Sequence, residues 1–260
     1  MPVSGNLIGA RASRIDVETS EHRRRYLSRA RGLNRRGPRV SVLCRQAWEL
    51  SAALSAAIAY GASGIISFGI AGGLAPDLVA GDWVIASGVR NGTDVLATDR
   101  AWAETLLARL PDALHAEVVG VNILIPSPLE KFRLYKETGA AAVDMESGIA
   151  AKIAVEHHIP FAACRVIIDA AHRMLPPAAT VGLRPNGTTD VLAISRSVWQ
   201  NPSQLPDLMR TAFDACIARR ALRLGREQLG VGFGFPYWNS RDPERSAVGP
   251  KYGTEVFAAK

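Results

Sequence analysis

Cysteine is scarce in this chain of 260 residues, which contains only three of them. Cys44, Cys164 and Cys216 lie far apart in apolar surroundings, so the sequence predicts neither a disulfide framework nor a zinc motif. We interpret them as small buried side chains in a protein from a reducing compartment. Aromatic residues are also few, at 7%, whereas 48% of the residues are hydrophobic. That balance favours Ala- and Val-rich helices packed on a sheet, in a chain long enough for one sizeable α/β core.

Long apolar runs are absent as well. No stretch approaches the roughly 20 consecutive apolar residues of a membrane-spanning helix. The N-terminal region shows no basic segment followed by an apolar one, so it does not have the pattern of a secretory signal. We therefore expect a cytoplasmic protein.

Positive charge is concentrated near the N-terminus, although the net charge of the whole chain is +7. The arginines of this segment are Arg23, Arg24, Arg25, Arg29, Arg31, Arg35, Arg36 and Arg39. A solvated arm, contact with the inner membrane surface and nucleic-acid binding are all compatible with such a cluster. Only Tyr26 interleaves with these arginines, so no base-stacking platform is predicted and nucleic acid is not the expected partner.

Helical and strand patterns alternate along the middle of the chain, and the predicted strands are continuous apolar runs. This predicts an α/β fold: a three-layer αβα sandwich around a mixed, mainly parallel central sheet. Residues 1–39 are a poorly defined arginine-rich segment, residues 40–230 the folded domain, and residues 231–260 a disordered tail. A long loop over residues 170–189 is expected to form a cleft wall or lid.

A glycine-rich segment ends the predicted strand over residues 64–68. Gly69, Gly72 and Gly73 allow positive φ and close backbone approach, and they present amide hydrogens to an anion or a sugar. Their spacing matches neither a dinucleotide fingerprint nor a Walker motif. A tight packing turn between strand and helix explains the glycines equally well.

A second polar segment, Asp144-Met145-Glu146, follows another apolar run. If the strand continues, Asp144 and Glu146 lie on one side of the pleat and Met145 on the other. A carboxylate there can accept hydrogen bonds from two vicinal hydroxyls, and methionine offers a polarizable surface to a sugar. Alternatively, the acids cap a helix that begins near Ser147, where negative charge is favoured.

Asp169 ends a third apolar run, at the carboxyl edge where parallel strands present ligand sites. A partly desolvated carboxyl group there has a raised pKa and can serve as a general acid. His172 and Arg173 follow closely, so an ion pair with one of them is the alternative interpretation.

Together the segments Ser67–Leu74, Ala142–Ser147 and Arg165–Asp169 resemble the superfamily of nucleoside phosphorylases and methylthioadenosine/adenosylhomocysteine nucleosidases. The resemblance covers about residues 46–225. With Leu175–Ala178 included, the chain is most similar to the hopanoid-associated phosphorylases, which are implicated in removing adenine from adenosylhopane. The resemblance implies a nucleoside phosphorylase-like fold, cleavage of an N-glycosidic bond, no metal or organic cofactor, and a homo-oligomer.

The same resemblance implies a role for individual residues. Glu146 would bind the ribose hydroxyls, Met145 would pack on the sugar, and Asp169 would protonate the departing purine nitrogen. The bond would break through an oxocarbenium-like cation, which the nearby carboxylate would stabilise. The remaining substrate-binding candidates are Asp144, Gly69, Ala71, Gly72, Ile123 and Leu124, the last two being either base contacts or core strand residues.

Two departures from the family pattern bear on the reaction. Ser67 and Ile70 stand where phosphorylases carry an arginine and a serine that contact phosphate, which favours water over phosphate as the nucleophile. The N-terminal glutamate that activates water in nucleosidases has no clear counterpart, although Glu18 and Glu21 are candidates. The alternative function is therefore a catalytically impaired homologue that binds a nucleoside or a lipid as an accessory protein.

Overall fold

The computed structural model describes residues 39–43, 47–181, 190–238 and 255–259. Glu18, Glu21 and almost all of the arginine-rich segment lie outside these ranges, as do residues 182–189 of the predicted cleft wall. The strands are β1 (Arg39–Leu43), β2 (Ala62–Gly73), β3 (Trp83–Asn91), β4 (Asp94–Ala97), β5 (Leu114–Gly120), β6 (Ala142–Asp144), β7 (Phe161–Asp169) and β8 (Glu255–Ala259). The helices are α1 (Ala47–Ala59), α2 (Arg100–Arg109), α3 (Pro128–Thr138), α4 (Ser147–Glu156), α5 (Pro177–Val181), α6 (Val191–Gln200) and α7 (Leu205–Leu229).

The strands of the described part form one mixed sheet in the order β1-β8-β2-β6-β5-β3-β4, and β7 pairs with both β2 and β3. Five of the strand pairings are parallel and three are antiparallel. Helix α7 packs on β7, and α4 packs on β2, β5 and β7. The predicted α/β fold with a mixed, mainly parallel central sheet is confirmed.

Strand β2 is longer than the sequence pattern predicts, because it continues through the glycine-rich segment to Gly73 instead of turning at Gly69. Pairing with β7 on one side and β6 on the other keeps this backbone extended. The expected positive φ is therefore wrong for Gly69, Gly72 and Gly73. The expected close approach is right for Gly72, where a Cβ atom would lie 3.3 Å from Cγ1 of Val143.

A core cluster of described residues lies beneath α2 and includes residues from the predicted disordered tail. Phe233 and Phe235 are buried there, and the Trp102 indole N–H donates to the carbonyl of Phe233 at 2.9 Å. The rings of Trp102 and Phe235 meet edge to face, with their centroids 4.9 Å apart. The tail prediction is therefore wrong for residues 231–238, because their aromatic side chains complete the core. It is also wrong for β8, which pairs in parallel with β1 and β2.

Helix α7 has 25 residues and is attached to the sheet by small residues on its inner face. A Cβ atom at Gly225 would lie 2.2 Å from the Trp83 ring, so glycine is what lets the helix approach β3. Cys164 is buried as expected, but Cys216 on the outer face of α7 is exposed, contrary to prediction. No helix in the described ranges combines the length and apolar character needed to cross a membrane.

Candidate active site

Strand β2 lies between the two acidic segments singled out in the sequence. Gly72 pairs with Val143 of β6 on one side and with Asp169 at the end of β7 on the other. If an alanine replaced Gly72, its Cβ atom would lie 3.5 and 3.6 Å from the two carboxylate oxygens of Asp169. The glycine therefore leaves the carboxylate uncovered by any side chain of β2 at this position.

Asp144 acts as a helix cap. The strand ends at this residue, and its Oδ1 accepts hydrogen bonds from the backbone N–H groups of Glu146, at 3.1 Å, and Ser147, at 2.8 Å. Its Oδ2 accepts from the Ser147 hydroxyl and pairs with Nε of Arg165 at 2.5 Å. Four donors fill the acceptor sites of this buried carboxylate. These contacts agree with the alternative interpretation of Asp144 as an acid at the start of a helix, and its contact with a substrate stays a prediction.

Arg165 is the buried cation that joins these elements. Its guanidinium donates to the Ser67 hydroxyl at 2.5 Å and the Ser147 hydroxyl at 3.0 Å, and lies 3.6 Å from the Glu146 carboxylate. The sequence interpretation did not give Arg165 a role. A single arginine inside an apolar strand is nevertheless a usable signal, because a buried charge is tolerated only with a partner. Here the partners are Asp144 and Glu146.

Glu146 and Met145 remain accessible at the start of α4. The side chain of Glu146 is 30% exposed and Met145 is 38% exposed, in contrast to fully enclosed Asp144. Partial burial raises the pKa of Glu146; Arg165 opposes this shift and the neighbouring Asp144 adds to it. The arginine thus holds a carboxylate whose outer side can accept hydrogen bonds from a ligand.

Asp169 has a buried partner that the sequence interpretation missed. The Lys131 ammonium donates to the Asp169 carboxylate, to the carbonyl of Ala170 at 3.0 Å and to the carbonyl of Arg173 at 3.5 Å. Lys131 is completely buried. The sequence does carry a signal for the burial of Lys131. This residue lies on the inward-facing side of α3, together with the residues three, four and seven positions later.

Opposing effects act on the protonation of Asp169. Burial raises its pKa and is the largest influence; the Lys131 charge and hydrogen bond lower it, and Asp214 raises it further. The net direction is upward. The predicted pairing with His172 or Arg173 is wrong, because the Arg173 side chain pairs with Asp214 at 3.3 Å and His172 is exposed.

Ile123 and Leu124 do not belong to a strand. Strand β5 ends at Gly120, whose close packing against Gly148 leaves no room for a side chain: a Cβ atom there would lie 2.8 Å from Gly148. The chain then enters a loop in which Ile123 and Leu124 are exposed. Their interpretation as core strand residues is therefore wrong, while contact with a base stays a prediction.

The positions along β2 indicate the size of the site. Asp169 lies beside Gly72, whereas Arg165, which contacts Glu146, lies beside Gly69 three residues earlier. At about 3.3 Å per residue, the backbone positions of β2 beside Arg165 and Asp169 are about 10 Å apart. Ile70 of β2 is 42% exposed. Glu146, through the guanidinium of Arg165, and Asp169 are thus both connected to strands that pair with β2.

Two surface cavities occur elsewhere in the described part of the chain. One of about 230 Å³ is lined by residues including Asp99 and His158, and another of about 330 Å³ by residues including Asn91 and Lys152. Neither is lined by Glu146 or Asp169.

Part of the predicted cleft wall over residues 170–189 is a helix, α5. In the loop before this helix, the backbone N–H of Leu175 donates to the carbonyl of Pro126 at 3.0 Å.

Several solved structures are similar to this chain, at low sequence identity. A futalosine hydrolase mutant of Helicobacter pylori is 19% identical, with 47% of this chain and 66% of that chain covered and a TM-score of 0.43. A 5'-methylthioadenosine/S-adenosylhomocysteine nucleosidase from S. pneumoniae is 15% identical, with coverages of 49% and 66% and a TM-score of 0.45. The Helicobacter pylori nucleosidase of this kind is 16% identical, with coverages of 71% and 77% and a TM-score of 0.48.

Coverage of these relatives is partial, and the chain spans just under two thirds of the length of the first two structures. No curated protein matches the chain. The family model described as the phosphorylase superfamily matches residues 36–182, which is more than half of the sequence. This match covers β2, the capped α4 and the Arg165–Asp169 segment. The chain therefore belongs to the phosphorylase superfamily.

Proposed function

We propose that this protein cleaves the N-glycosidic bond of a purine nucleoside and releases adenine. The observation that carries the proposal is the pairing of Gly72 with both acidic segments, which brings an accessible Glu146 and a buried Asp169 to one strand. The backbone positions of β2 beside Arg165 and Asp169 are about 10 Å apart, which leaves room for a ribose near Glu146 and a base near Asp169.

In this proposal the two carboxyl groups have different tasks. Glu146, oriented by Arg165, accepts hydrogen bonds from the ribose hydroxyls and stabilises the cationic sugar as the bond breaks. Asp169 protonates the purine nitrogen, so that the base departs neutral. Met145 packs on the sugar, and the backbone of Gly69, Ala71 and Gly72 lines the ligand. No step requires a group from outside the chain other than the nucleophile.

Water is the nucleophile favoured by the residues around the glycine-rich segment. Ile70 has no hydrogen-bond donor in its side chain and faces outward from β2. Ser67 is buried and its hydroxyl accepts from Arg165, so it is directed away from any phosphate over β2. The side-chain donors expected of a phosphorylase are therefore missing at both positions.

For the substrate we propose an adenosyl lipid of the adenosylhopane type, in hopanoid synthesis. The support is the resemblance of the sequence to the hopanoid-associated subgroup. Partly exposed apolar side chains on the same segments, Ile70 and Met145, are compatible with an apolar substituent on the ribose. This substrate assignment is more specific than nucleoside cleavage. It can be wrong while the proposal of nucleoside cleavage is right.

The test is adenine release from methylthioadenosine, adenosylhomocysteine and adenosylhopane, each with and without phosphate. We expect release without phosphate, a reducing sugar product, and the highest kcat/KM for adenosylhopane. Release that requires phosphate and yields a sugar 1-phosphate would overturn the choice of water. A preference for the small polar substrates would overturn the lipid assignment and leave nucleoside cleavage standing.

A second candidate is an impaired homologue that binds a nucleoside without cleaving it. The contact between Lys131 and Asp169 favours this alternative, because an adjacent ammonium stabilises the carboxylate form and a general acid must carry a proton. Calorimetric binding of an adenosyl compound with no adenine release would establish it. Burial of Asp169 acts in the opposite direction and supports the enzyme.

Replacement of Lys131 tests how Asp169 retains its proton. Lys131→Met removes the charge and hydrogen bond that lower the pKa of Asp169, so the protonated acid should persist to higher pH. We expect the basic limb of the kcat/KM profile to move to higher pH. Lys136→Met on the exposed face of the same helix is the matched control and should leave the limb in place. A basic limb that moves to lower pH in Lys131→Met would contradict the role of Asp169.

A further inference from the structure

Helix α7 presents two different surfaces. Its inner face is fixed to the sheet through Gly225 against Trp83, and to the loop after β7 through the ion pair of Asp214 with Arg173. The opposite face of the first half of α7 therefore points away from the sheet. Gln204, just before the helix, donates to the carbonyl of Ser197 at 2.8 Å and so ties α6 to the start of α7.

The outward face of α7 is apolar over about three turns. Leu205, Met209, Ala212, Phe213 and Cys216 recur at helical spacing and are all exposed. Met209 is 66% exposed and Phe213 is 67% exposed. Side chains of this size on one stripe are unusual on a free surface and indicate an interaction site.

Helix α6 repeats this character next to the start of α7. Leu192 is 80% exposed and Trp199 is 88% exposed, and Arg196 lies between them on the exposed side. The helix has no acidic residue within its bounds. Trp and Leu beside arginine are the composition of segments that lie in a membrane interface.

Charge identifies the partner of this face. Three exposed arginines, Arg219, Arg220 and Arg223, continue the α7 stripe directly after Cys216. Within the described residues none of the three forms an ion pair with a carboxylate. An apolar stripe followed by arginines without ion-pair partners among the described residues complements a surface with an apolar interior and anionic groups at its edge, such as a lipid bilayer.

A second copy of the chain is a poorer match. The acids of α7 before Glu227 are Asp207 and Asp214, and each already pairs with an arginine of its own chain, Arg210 and Arg173 respectively. A symmetric pair of these faces would bring six arginines together without carboxylates to receive them. Like charges of that kind oppose association.

We propose that the outer face of α7, together with the exposed side of α6, docks on the surface of an anionic lipid bilayer. Met209 and Phe213 enter the boundary between headgroups and acyl chains, and Arg219, Arg220 and Arg223 contact the anionic headgroups. The protein lies on the bilayer without crossing it. This surface is distinct from the arginine-rich N-terminal segment that the sequence singles out.

Vesicle co-sedimentation with the full chain tests the proposal. Phosphatidylcholine vesicles with and without phosphatidylglycerol are compared at low and high salt. Wild type should bind the anionic vesicles and release at high salt. The variant Arg219→Gln/Arg220→Gln/Arg223→Gln should bind on the order of 100-fold more weakly, at about fivefold for each basic residue. Met209→Ser/Phe213→Ser should lose about tenfold or more through the lost apolar area.

Matched changes on other surfaces serve as controls. Arg100→Gln/Arg133→Gln/Lys152→Gln removes the same charge from exposed positions of three other helices, and Val79→Ser/Val155→Ser removes exposed apolar side chains from elsewhere. Both should bind the vesicles as wild type does. Because all these side chains are exposed, we expect every variant to keep its fold. Circular dichroism of each variant checks this.

Three results would overturn the proposal. The first is equal loss of binding in the α7 variants and their controls. The second is binding that survives in the α7 variants but disappears in Arg23→Gln/Arg24→Gln/Arg25→Gln, which would assign the lipid contact to the N-terminal segment. The third is no vesicle binding by wild type together with a change of oligomeric state in Met209→Ser/Phe213→Ser, measured by sedimentation equilibrium, which would assign the face to a second copy.

Discussion

Asp169→Asn should reduce kcat for adenine release by about 100- to 10,000-fold, the range that a positioned general acid supplies. Asparagine keeps the shape of the side chain but cannot transfer the proton that the purine needs. The amide also leaves the buried Lys131 ammonium without its anion. Adenine release should be measured in single turnovers at saturating substrate, so that binding and chemistry are separated.

Two controls distinguish lost chemistry from lost structure. Asp112→Asn changes an exposed aspartate after α2 and should retain the wild-type rate. Lys131→Met/Asp169→Asn removes both buried charges and should recover stability relative to Asp169→Asn, without recovering activity. A double variant that regained the wild-type rate would mean that Asp169 affects catalysis only by balancing the lysine charge.

The sequence allowed the fold to be predicted, together with the strand ends that carry Asp144 and Asp169, because both depend on local signals. Apolar runs of strand length, alternating with helical patterns, are sufficient to predict a mainly parallel α/β sheet. Asp169 marks the end of β7, and in β2 Gly72 allows the close approach of the neighbouring strand. These features can be predicted without knowing which residues far apart in the sequence are in contact.

The internal ion pairs could not be predicted in the same way, because they depend on residues far apart in the chain. Lys131 and Asp169 are 38 positions apart and come together only when α3 packs near the end of β7. The choice between the two interpretations of Asp144 also depends on the fold: its strand ends at this residue, two positions before Glu146, and its carboxylate accepts from the backbone at the start of α4, as the alternative interpretation had it.

Each acidic segment beside β2 is accompanied by a buried cation. Arg165 contacts Asp144 and Glu146, and Lys131 contacts Asp169. The two cations act differently on the proposed tasks. Arg165 orients a carboxylate that the proposal keeps ionised, whereas the Lys131 ammonium lowers the pKa of Asp169 and so opposes the proton that a general acid must carry.

Arg165→Met should lower the free energy of unfolding by about 3–5 kcal/mol, because it leaves the Asp144 carboxylate buried without its cation. Urea denaturation followed by circular dichroism measures this difference. Arg90→Met is the matched control: the pair of Arg90 with Glu117 has a similar separation of 2.7 Å, but both side chains are about one third exposed. An exposed pair contributes about 1 kcal/mol or less, so the control should be nearly neutral.

A double-mutant cycle separates the ion pair from simple loss of packing around Arg165. Arg165→Met/Asp144→Asn removes the uncompensated charge and should be more stable than Arg165→Met alone, with a coupling energy within the range of about 0.5–3 kcal/mol found for residues in contact. Arg165→Lys keeps the charge but loses the planar fork, and should fall between wild type and Arg165→Met. Additive effects, or a loss no greater than that of Arg90→Met, would show that Arg165 does not hold β7 to the start of α4. Glu146 would then have to be oriented by other groups.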